Sequence, residues 1–438
     1  MDFTPLAHVF PDTATVTPKG HLEIGGCNVE DLVAEHGTPL YVLCEDTLRA
    51  RCREFIAAFT SLHQETEVHY ASKAYIGPAL AQIMAEEGLG LDIVSGGELA
   101  VAKAAAVPPE GIAFHGNNKS AQELTDALDY GIGRIMVDNL TELDLLNQLA
   151  LEHGVVQPIL LRVTPGIDPH THAKTTTGLV DSKFGLNITN GQAAEAMRFA
   201  LDSKALELRG LHFHLGSPIF ELDPYIEAIE VVLDFAAQYR EEGFELREFS
   251  PGGGFAIAYL RDQHAPKPAE YATAIIETLR KGCERRNLPM PKLSVEPGRS
   301  VVGPAGVAYY TVGSIKNIPG IRTYAAVDGG MGDNIRPALY EAKYEAVAAT
   351  RMNEETSATY TVAGKYCESG DILVEEASLP PLRVGDIIAM PAAGAYSPSM
   401  ASNYNENPRP PIVLVKDGAT RIIRRRETAE DLMRTDVW

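Results

Sequence analysis

The feature that most constrains the fold is a regular alternation of β-rich runs and helical segments between residues 65 and 300. Eight β-rich runs occur in this stretch, at residues 68–72, 91–95, 112–115, 135–138, 159–163, 211–215, 248–250 and 293–296. Alternation of this kind indicates parallel strands joined by helical crossovers. Eight regular units favour an α/β fold of the (β/α)8 barrel type over a doubly wound open sheet.

Two of the crossovers carry clear signals for the start of a helix. Ser120 and Glu123 have the spacing of a capping box, and Gly131 is placed to end that helix. Asp223 followed by Pro224 starts another helix, because proline is favoured in the first helical turn. These signals support helices between the predicted strands.

After residue 300 the helical periodicity fades and strand-like runs dominate. They lie at residues 307–312, 324–327, 358–362, 387–390 and 412–415, and Asp417-Gly418 follows the last as a tight hairpin turn. The first 39 residues have a similar texture, with a turn at Pro18-Lys19-Gly20. The sequence therefore predicts a barrel domain over residues 40–300 and an antiparallel β domain over residues 301–438, joined by the N-terminal segment 1–39.

Charge and cysteine content exclude several classes of function. The 438 residues carry a formal net charge of −21, which argues against nucleic acid or an anionic membrane as partner. The five cysteines form no CxxC pair, so a reducing compartment is favoured over a disulfide framework. The N-terminus lacks a secretory pattern, and no run is apolar for the ~18 residues of a membrane span. We expect a cytoplasmic protein.

Polar residues concentrate where the predicted barrel strands end. In a (β/α)8 barrel the active site lies at the carboxyl ends of the strands. The polar and glycine residues at these positions are Lys73, Asp92, Ser95, His115, Asn139, Arg162, His212, His214, Ser217, Gly252, Gly253, Gly254, Glu296 and Arg299. A barrel with a purely structural role would end its strands in generic turn residues, so this edge is the predicted site.

Each of these residues also has an ordinary structural interpretation. An isolated Lys73 is more often a solvated lysine at a strand end. His212 and His214 share one face of a strand, and such a pair is as often a hydrogen-bonded core pair as a functional one. Their spacing does not indicate a metal site, and we expect none. Glu296 with Arg299 is either a charged turn or an acid for a cofactor nitrogen beside a cation for a carboxylate or phosphate.

The three consecutive glycines, Gly252 to Gly254, form either a flexible turn or a loop whose backbone N–H groups face an anion. The loop matches neither the dinucleotide fingerprint nor the P-loop, so nucleotide binding is poorly supported.

Five further candidates lie in the predicted β domain. Cys367, followed by Glu368, is the only cysteine in a polar, glycine-containing setting. Arg336 and Tyr340 lie four residues apart, and Tyr396 lies in a stretch too rich in Gly and Ser for a core. These residues could add an acid, a cation and two phenols to the chemistry of the barrel.

In their order and spacing, the motifs resemble the fold-type III pyridoxal-phosphate decarboxylases, and within that group the diaminopimelate decarboxylases. The similarity runs from about residue 30 to about 430. The matching stretches are YASKA, LDIVSGGEL, FHGNNKS, DSKFGL, HFHLGS, GGGF, EPGR, DGGM, RPALY, CESGD and GAYSPSMASNYN. The resemblance implies a barrel plus a β domain, pyridoxal 5'-phosphate as cofactor, and a homodimer with active sites at the interface.

The resemblance also implies a role for each candidate residue. Lys73 would link covalently to the cofactor, His214 would stack on its ring, and Glu296 would face the ring nitrogen. Ser217, the loop of Gly252, Gly253 and Gly254, and Arg299 would surround the phosphate. The residues implied to hold the substrate are Arg299, Arg336, Tyr340, Glu368 and Tyr396. Cys367 would be the proton donor, presented with Glu368 by the second subunit.

Cofactor chemistry adds one expectation about Lys73. This lysine must lose its proton to react with a carbonyl, so we expect burial and nearby cations to lower its pKa.

The implied reaction is conversion of meso-2,6-diaminopimelate to L-lysine and CO2, the last step of lysine biosynthesis. The alternatives are a decarboxylase of ornithine, arginine or carboxynorspermidine on the same scaffold, an amino-acid racemase, and a non-enzymatic cofactor-binding protein. CESGD and RPALY favour diaminopimelate, whereas a large β domain argues against the last alternative. The chain departs from the usual family pattern at Pro218 and Ser397, which leaves substrate preference open.

Overall fold

The fold was analysed in a computed structural model, which describes residues 4–168, 176–178 and 181–437. Small parts of the predicted N-terminal segment, barrel and β domain therefore lie outside the described residues. The chain forms two compact units, one made of residues 52–256 and 265–298 and the other of residues 1–51, 257–264 and 299–438. We call them the barrel unit and the β unit. The predicted boundaries at residues 40, 300 and 301 stay a prediction.

The barrel unit contains the eight predicted strands in a closed parallel sheet. In chain order they are Thr66–Ala71, Gly90–Ile93, Ile112–Phe114, Arg134–Val137, Gln157–Thr164, Leu206–His212, Glu248–Ser250 and Lys292–Val295. Each strand pairs in parallel with the next, and the last pairs with the first, Val295 opposite Val68. The (β/α)8 prediction is confirmed, and the open-sheet alternative is wrong because the sheet closes.

One α-helix precedes the first barrel strand, and one α-helix follows each of the first seven strands. Their bounds are Glu45–Thr60, Pro78–Glu86, Gly96–Ala104, Ala121–Tyr130, Leu140–His153, Gln192–Asp202, Asp223–Gln238 and Pro268–Arg286. The predicted capping box forms, since Ser120 and Glu123 cap each other's backbone N–H, and Gly131 ends the helix in the left-handed conformation. Asp223–Gln238 begins as predicted and buries Ile229, Leu233 and Ala236.

Polar side chains fill both ends of the barrel interior. At the amino end of the strands, Arg134 forms ion pairs with Glu248 and with Glu67. An apolar cluster of Ala113, Met136 and Leu160 lies one step along the strands. Since side chains alternate along a strand, the next inward positions bring the polar residues of the carboxyl end together above this cluster.

The β unit contains a larger sheet and a small N-terminal sheet. The strands of the larger sheet are Leu40–Cys44, Gly306–Ile318, Arg322–Val327, Val347–Ala348, Ala358–Ala363, Ile372–Leu379, Ile387–Met390, Ile412–Lys416 and Ala419–Arg424. The small sheet pairs Thr15–Val16, Leu22–Ile24 and Cys27–Asn28 around the predicted turn at Gly20. Short helices occur at Val29–His36, Arg299–Val302, Arg336–Tyr340 and Ala429–Met433.

Pairing in the larger sheet is mostly antiparallel, as predicted. Asp417 and Gly418 join two antiparallel strands with positive φ angles of 51° and 76°, the conformation of a tight hairpin turn. Two pairs are parallel, Arg322–Val327 with Ala358–Ala363 and Leu40–Cys44 with Ile412–Lys416.

The covalent chain passes between the two units four times, at residues 51/52, 256/257, 264/265 and 298/299. Residues 257–264 thus leave the barrel unit between the seventh strand and its helix, and count with the β unit. In the described part of the chain, none of the helices combines the length and apolarity needed to cross a membrane.

Candidate active site

Lys73 lies directly after the first barrel strand, in a short helical turn at Ser72–Ala74. The backbone N–H of Ala71 donates to the carbonyl of Pro297 at 3.0 Å, which ties this turn to the end of the last strand. A Cβ on Gly298 would lie 2.9 Å from the Ala71 Cβ, so only glycine allows this approach. Lys73 is exposed, so the expected burial is wrong. An amine that reacts with a cofactor must be accessible to that cofactor.

Glu296 is a buried anion at the end of the last barrel strand. His212 Nε2 lies 3.2 Å from one of its carboxylate oxygens, and the Ser250 hydroxyl donates to the other at 2.8 Å. Burial would raise the pKa of Glu296, but His212 and His115 outweigh it and hold that pKa well below its ordinary range. The carboxylate is therefore ionised and fixed in orientation.

His115, His212 and Glu296 also form a compact buried triad. Their ligand atoms lie within 4.8 Å of one another, close enough to hold a metal ion. The His212–Glu296 contact explains the geometry as a hydrogen bond, and we keep the prediction of no metal. Burial drives the pKa of His115 well below its ordinary value, whereas burial and the charge of Glu296 raise that of Asp92. Glu296 is thus ionised, whereas its neighbours His115 and Asp92 are neutral.

His214 lies beside the glycine loop at the sixth strand end. The backbone N–H of Gly253 donates to His214 Nδ1 at 3.2 Å, so this nitrogen is an acceptor and the ring is neutral. Burial, followed by the charges of Lys73 and Arg162, lowers the pKa of His214 well below its ordinary value. A neutral imidazole fixed through one nitrogen can present its face to a flat ring.

The glycine loop leaves no space for side chains. A Cβ on Gly253 would lie 2.1 Å from the Glu296 carbonyl oxygen, and one on Gly254 would lie 2.4 Å from that of Gly216. Gly252 has a φ of 74°, which favours glycine. The neighbouring segment with Ser217 and Pro218 is tied to this loop, since the Ile219 N–H donates to the Gly254 carbonyl at 2.8 Å.

In the β unit, the structure brings Arg299, Arg336 and Tyr396 into one aromatic and cationic cluster. The Arg299 guanidinium lies 4.7 Å from the centroid of the Tyr396 ring. The backbone of Tyr396 has a φ of 60°. Arg336 donates to the hydroxyl of Tyr344, and it lies over the ring of Tyr259 at 4.8 Å. Both arginines are buried, which strengthens their attraction for an anion that enters the cluster.

Two further residues flank this cluster in sequence. Tyr340 ends the short helix Arg336–Tyr340 and is partly exposed. Ser397, where the chain departs from the family pattern, is fully buried directly after Tyr396.

Cys367 lies on an exposed loop of the β unit, with Glu368 beside it. The Cys367 N–H donates to the side-chain oxygen of Asn405 at 2.8 Å, and the Tyr404 hydroxyl donates to the Cys367 carbonyl at 3.4 Å. The rings of Tyr366 and Tyr404 stack at 6.0 Å. The backbone of the thiol residue is thus held on both sides, while the other four cysteines are buried.

A buried aspartate connects this loop with the DGGM segment. Asp371 accepts the Met331 N–H at 2.6 Å and the Tyr366 N–H at 2.9 Å. A Cβ on Gly330 would lie 2.4 Å from the Asp371 carboxylate, and one on Gly364 would lie 2.1 Å away. Asp371 is therefore a structural anchor for the loop, and the two glycines make room for it.

Asp333 next to this anchor gives a prediction for stability. Burial, together with the charges of Asp328 and Asp371, raises the pKa of Asp333 to about 7. A carboxyl group with a raised folded-state pKa stabilises the fold below its unfolded pKa, and this contribution is lost as the pH rises through about 7. Asp333→Asn should therefore gain ~4 kcal/mol relative to the unchanged protein between about pH 4 and about pH 9.

Denaturant unfolding of both proteins at several pH values measures this difference. Asp436→Asn, an exposed position, serves as control and should show no trend. A constant difference between Asp333→Asn and the unchanged protein across this range would show that Asp333 does not titrate as described.

Comparison of this sequence with known proteins identifies the family to which the chain belongs. Residues 45–303 match the family described as "Pyridoxal-dependent decarboxylase, pyridoxal binding domain". Diaminopimelate decarboxylase of Bacillus subtilis is 46% identical over 97% of this chain and 97% of that protein. The chain belongs to the diaminopimelate decarboxylase family. The resemblance drawn from the motifs is confirmed, and the protein is a pyridoxal-dependent decarboxylase.

The chain is also similar in sequence and structure to other diaminopimelate decarboxylases. The Synechocystis diaminopimelate decarboxylase is 45% identical over 99% of this chain and 94% of its own. The crystal structure of the M. jannaschii enzyme superposes with a TM-score of 0.91 at 36% identity, covering 98% of both chains. The Helicobacter pylori enzyme complexed with L-lysine gives a TM-score of 0.86 at 34% identity, covering 93% of this chain and 98% of that chain.

The residues of the barrel unit fit pyridoxal phosphate. An accessible Lys73 offers the amine, Glu296 offers an ionised acceptor, and the absence of side chains in the glycine loop allows a phosphate to approach its backbone. Buried polar atoms without a hydrogen-bond partner in the described structure, Asp92 Oδ1, His115 Nε2 and His212 Nδ1, belong to the same cluster.

Sequence reasoning missed Tyr259 and Tyr344, which contact the arginines, and Asn405, which holds Cys367. The only signal for Asn405 was its place in the GAYSPSMASNYN motif. Tyr259 stands in a segment that carries no motif, so its role depends on the fold alone.

Proposed function

We propose that this protein converts meso-2,6-diaminopimelate to L-lysine and CO2 with pyridoxal phosphate. The observation that carries the proposal is an accessible Lys73 whose turn is tied to the strand end bearing the buried, ionised Glu296. Bound pyridoxal phosphate supplies a ring that withdraws the electron pair left at the substrate α-carbon by loss of CO2. The protein's task is to hold that ring, to keep its nitrogen protonated and to return a proton.

The barrel unit would hold the cofactor. Lys73 would provide the covalent attachment, and the Glu296 carboxylate would accept a hydrogen bond from the protonated ring nitrogen, which would strengthen the ring as an electron acceptor. His214, neutral and fixed by Gly253, stacks on the ring. Ser217 and the loop of Gly252, Gly253 and Gly254 would surround the phosphate.

The β unit would recognise the substrate. Guanidinium groups suit a carboxylate because they can donate two parallel hydrogen bonds. Arg299 and Arg336 would bind the carboxylate that the reaction leaves intact, with Tyr340, Glu368 and Tyr396 completing the contacts. Substrates with a basic end need an acid where this cluster has two arginines, which favours diaminopimelate over ornithine or arginine.

Cys367 would return the proton. Thiols in water ionise only around pH ~8.5, so a thiol near neutrality still carries a proton that it can donate. The exposure of Cys367, together with that of Glu368, supports a homodimer in which each subunit presents this loop to the site of the other. We place the reaction in the cytoplasm, which agrees with the lack of a disulfide bond at any of the five cysteines.

The substrate assignment is tested by CO2 release from meso-diaminopimelate, ornithine, arginine and carboxynorspermidine by the holoenzyme. We expect release from meso-diaminopimelate at least ~100-fold faster than from the others, since the others lack the second carboxylate that the buried arginines would bind. Turnover of ornithine with none of diaminopimelate would overturn the assignment. Exchange of the α-hydrogen with solvent without CO2 release would instead indicate a racemase.

A further inference from the structure

Tyr259 contacts both arginines of the β-unit cluster. Arg299 Nη1 donates to its hydroxyl oxygen at 2.6 Å, and the Arg336 guanidinium lies 4.8 Å from its ring centroid. Tyr259 is 7% exposed, and the two arginines are each 6% exposed. The contacts to Arg299 and Arg336 use the edge and the face of one phenol, so this side chain fixes the two cations relative to each other.

The other aromatic residues of the cluster each contact one arginine. Tyr344 accepts a hydrogen bond from Arg336, and its ring meets the Tyr259 ring edge-on at 5.2 Å. Tyr396 packs on Arg299 at 4.7 Å. Removal of either would loosen one cation, whereas removal of the Tyr259 hydroxyl changes the link between them.

The backbone of Tyr259 is itself anchored. Its N–H donates to the side chain of Gln263 at 2.9 Å, and its carbonyl accepts the Glu345 N–H at 3.3 Å. Arg261, two residues later, forms an ion pair with Glu345 through two hydrogen bonds. Its Nε donates to one carboxylate oxygen at 3.1 Å and its Nη2 donates to the other at 2.8 Å. These bonds hold the backbone of segment 257–264, which carries the Tyr259 side chain.

Electrostatics explains why a phenol stands at this position. Two buried guanidinium groups repel each other, and a hydroxyl oxygen together with a π face attracts both without adding a full negative charge. Burial would raise the pKa of Tyr259, but Arg299 and Arg336 outweigh it and lower that pKa. A carboxylate in its place would neutralise the arginines and compete with an anionic ligand.

We propose that Tyr259 is a positioning residue for substrate recognition, which holds Arg299 and Arg336 as a pair of cationic ligands for one substrate carboxylate. The proposal rests on the proposed function, because it takes the arginines as the carboxylate site. It predicts that Tyr259 affects binding of ligands that carry this carboxylate and leaves the chemical step unchanged.

Tyr259→Phe removes the hydroxyl and keeps the ring. The Michaelis constant for meso-diaminopimelate should rise about 10- to 100-fold with kcat within about 2-fold, since a hydrogen bond to a charged group is lost. Inhibition by L-lysine, which retains one carboxylate, should weaken in parallel. Inhibition by cadaverine, the diamine without carboxylates, should not change, and the cofactor absorption should stay the same.

Tyr309→Phe is the matched control. Tyr309 is fully buried in the same unit, and its hydroxyl has no hydrogen-bond partner in the described structure. This variant should keep the kinetic constants of the unchanged protein. Equal weakening of L-lysine and cadaverine in Tyr259→Phe, or a loss of kcat without a change in KM, would overturn the positioning role.

A second measurement does not depend on turnover. Ultraviolet titration of the holoenzyme should show a tyrosine whose pKa lies below the ordinary value, and Tyr259→Phe should lose this transition while Tyr309→Phe retains it. If the unchanged protein releases no CO2 from meso-diaminopimelate, the proposed function fails, but this titration still decides whether Tyr259 joins the two arginines. An identical titration in both variants would overturn that link.

Discussion

Lys73→Ala is expected to abolish decarboxylation and the visible absorption of the bound cofactor. Lys73 lies on the turn held next to Glu296 by the Ala71–Pro297 hydrogen bond, and in the described barrel unit it is the lysine at this strand end. Without its amine no covalent attachment forms, so activity should fall by at least ~10⁴-fold. Absorption spectra before and after borohydride reduction, with mass spectrometry of the reduced protein, measure the attachment.

Lys281→Ala provides the comparison for this experiment. Lys281 is an exposed helical lysine paired with Glu277, and its removal should leave both absorption and activity intact. If Lys73→Ala keeps an absorption band that borohydride reduces, another amine carries the cofactor and the assignment of Lys73 is wrong.

Cys367→Ala is expected to lose turnover and to keep the cofactor. The loop keeps its backbone bonds to Asn405 and Tyr404, which do not involve the thiol, so the change removes an acid without moving the chain. General acids contribute ~10²–10⁴-fold, and kcat should fall by that factor. Ser369→Ala, an exposed change on the same loop, should keep the rate of the unchanged protein.

Mixing Cys367→Ala with Lys73→Ala tests whether subunits share their sites. In a twofold dimer, random exchange would give about a quarter of the unchanged activity, because half of the dimers would have one complete site out of two. No recovery after verified subunit exchange would show that Lys73 and Cys367 act within one chain.

The sequence was sufficient to predict the barrel because every strand carries its own signal. All eight β-rich runs overlap strands, and Glu248–Ser250 matches to the residue, whereas the run 211–215 shares only its first two residues with Leu206–His212. Residues such as Glu296 and His214 were found because parallel strands end at one edge, so polar strand ends must meet there. The capping box at Ser120 was equally local and equally reliable.

Features that depend on distant contacts were not predictable. The burial expected for Lys73 was wrong, because exposure depends on how neighbouring strand ends are arranged around it. The contact of Tyr259 with two arginines joins segments about 40 and 77 residues apart, and nothing in its local sequence marks it. The raised pKa of Asp333 likewise needs Asp371, which only the folded loop brings near.

The four crossings of the chain between the units also have an evolutionary and practical meaning. A gene fragment ending near codon 300 would encode a barrel together with a stray arm at residues 257–264 and an N-terminal strand, Leu40–Cys44, deprived of its neighbours Gly306–Ile318 and Ile412–Lys416. Such a fragment should be prone to aggregation through that unpaired strand. The two units must therefore be inherited, expressed and recombined as one piece.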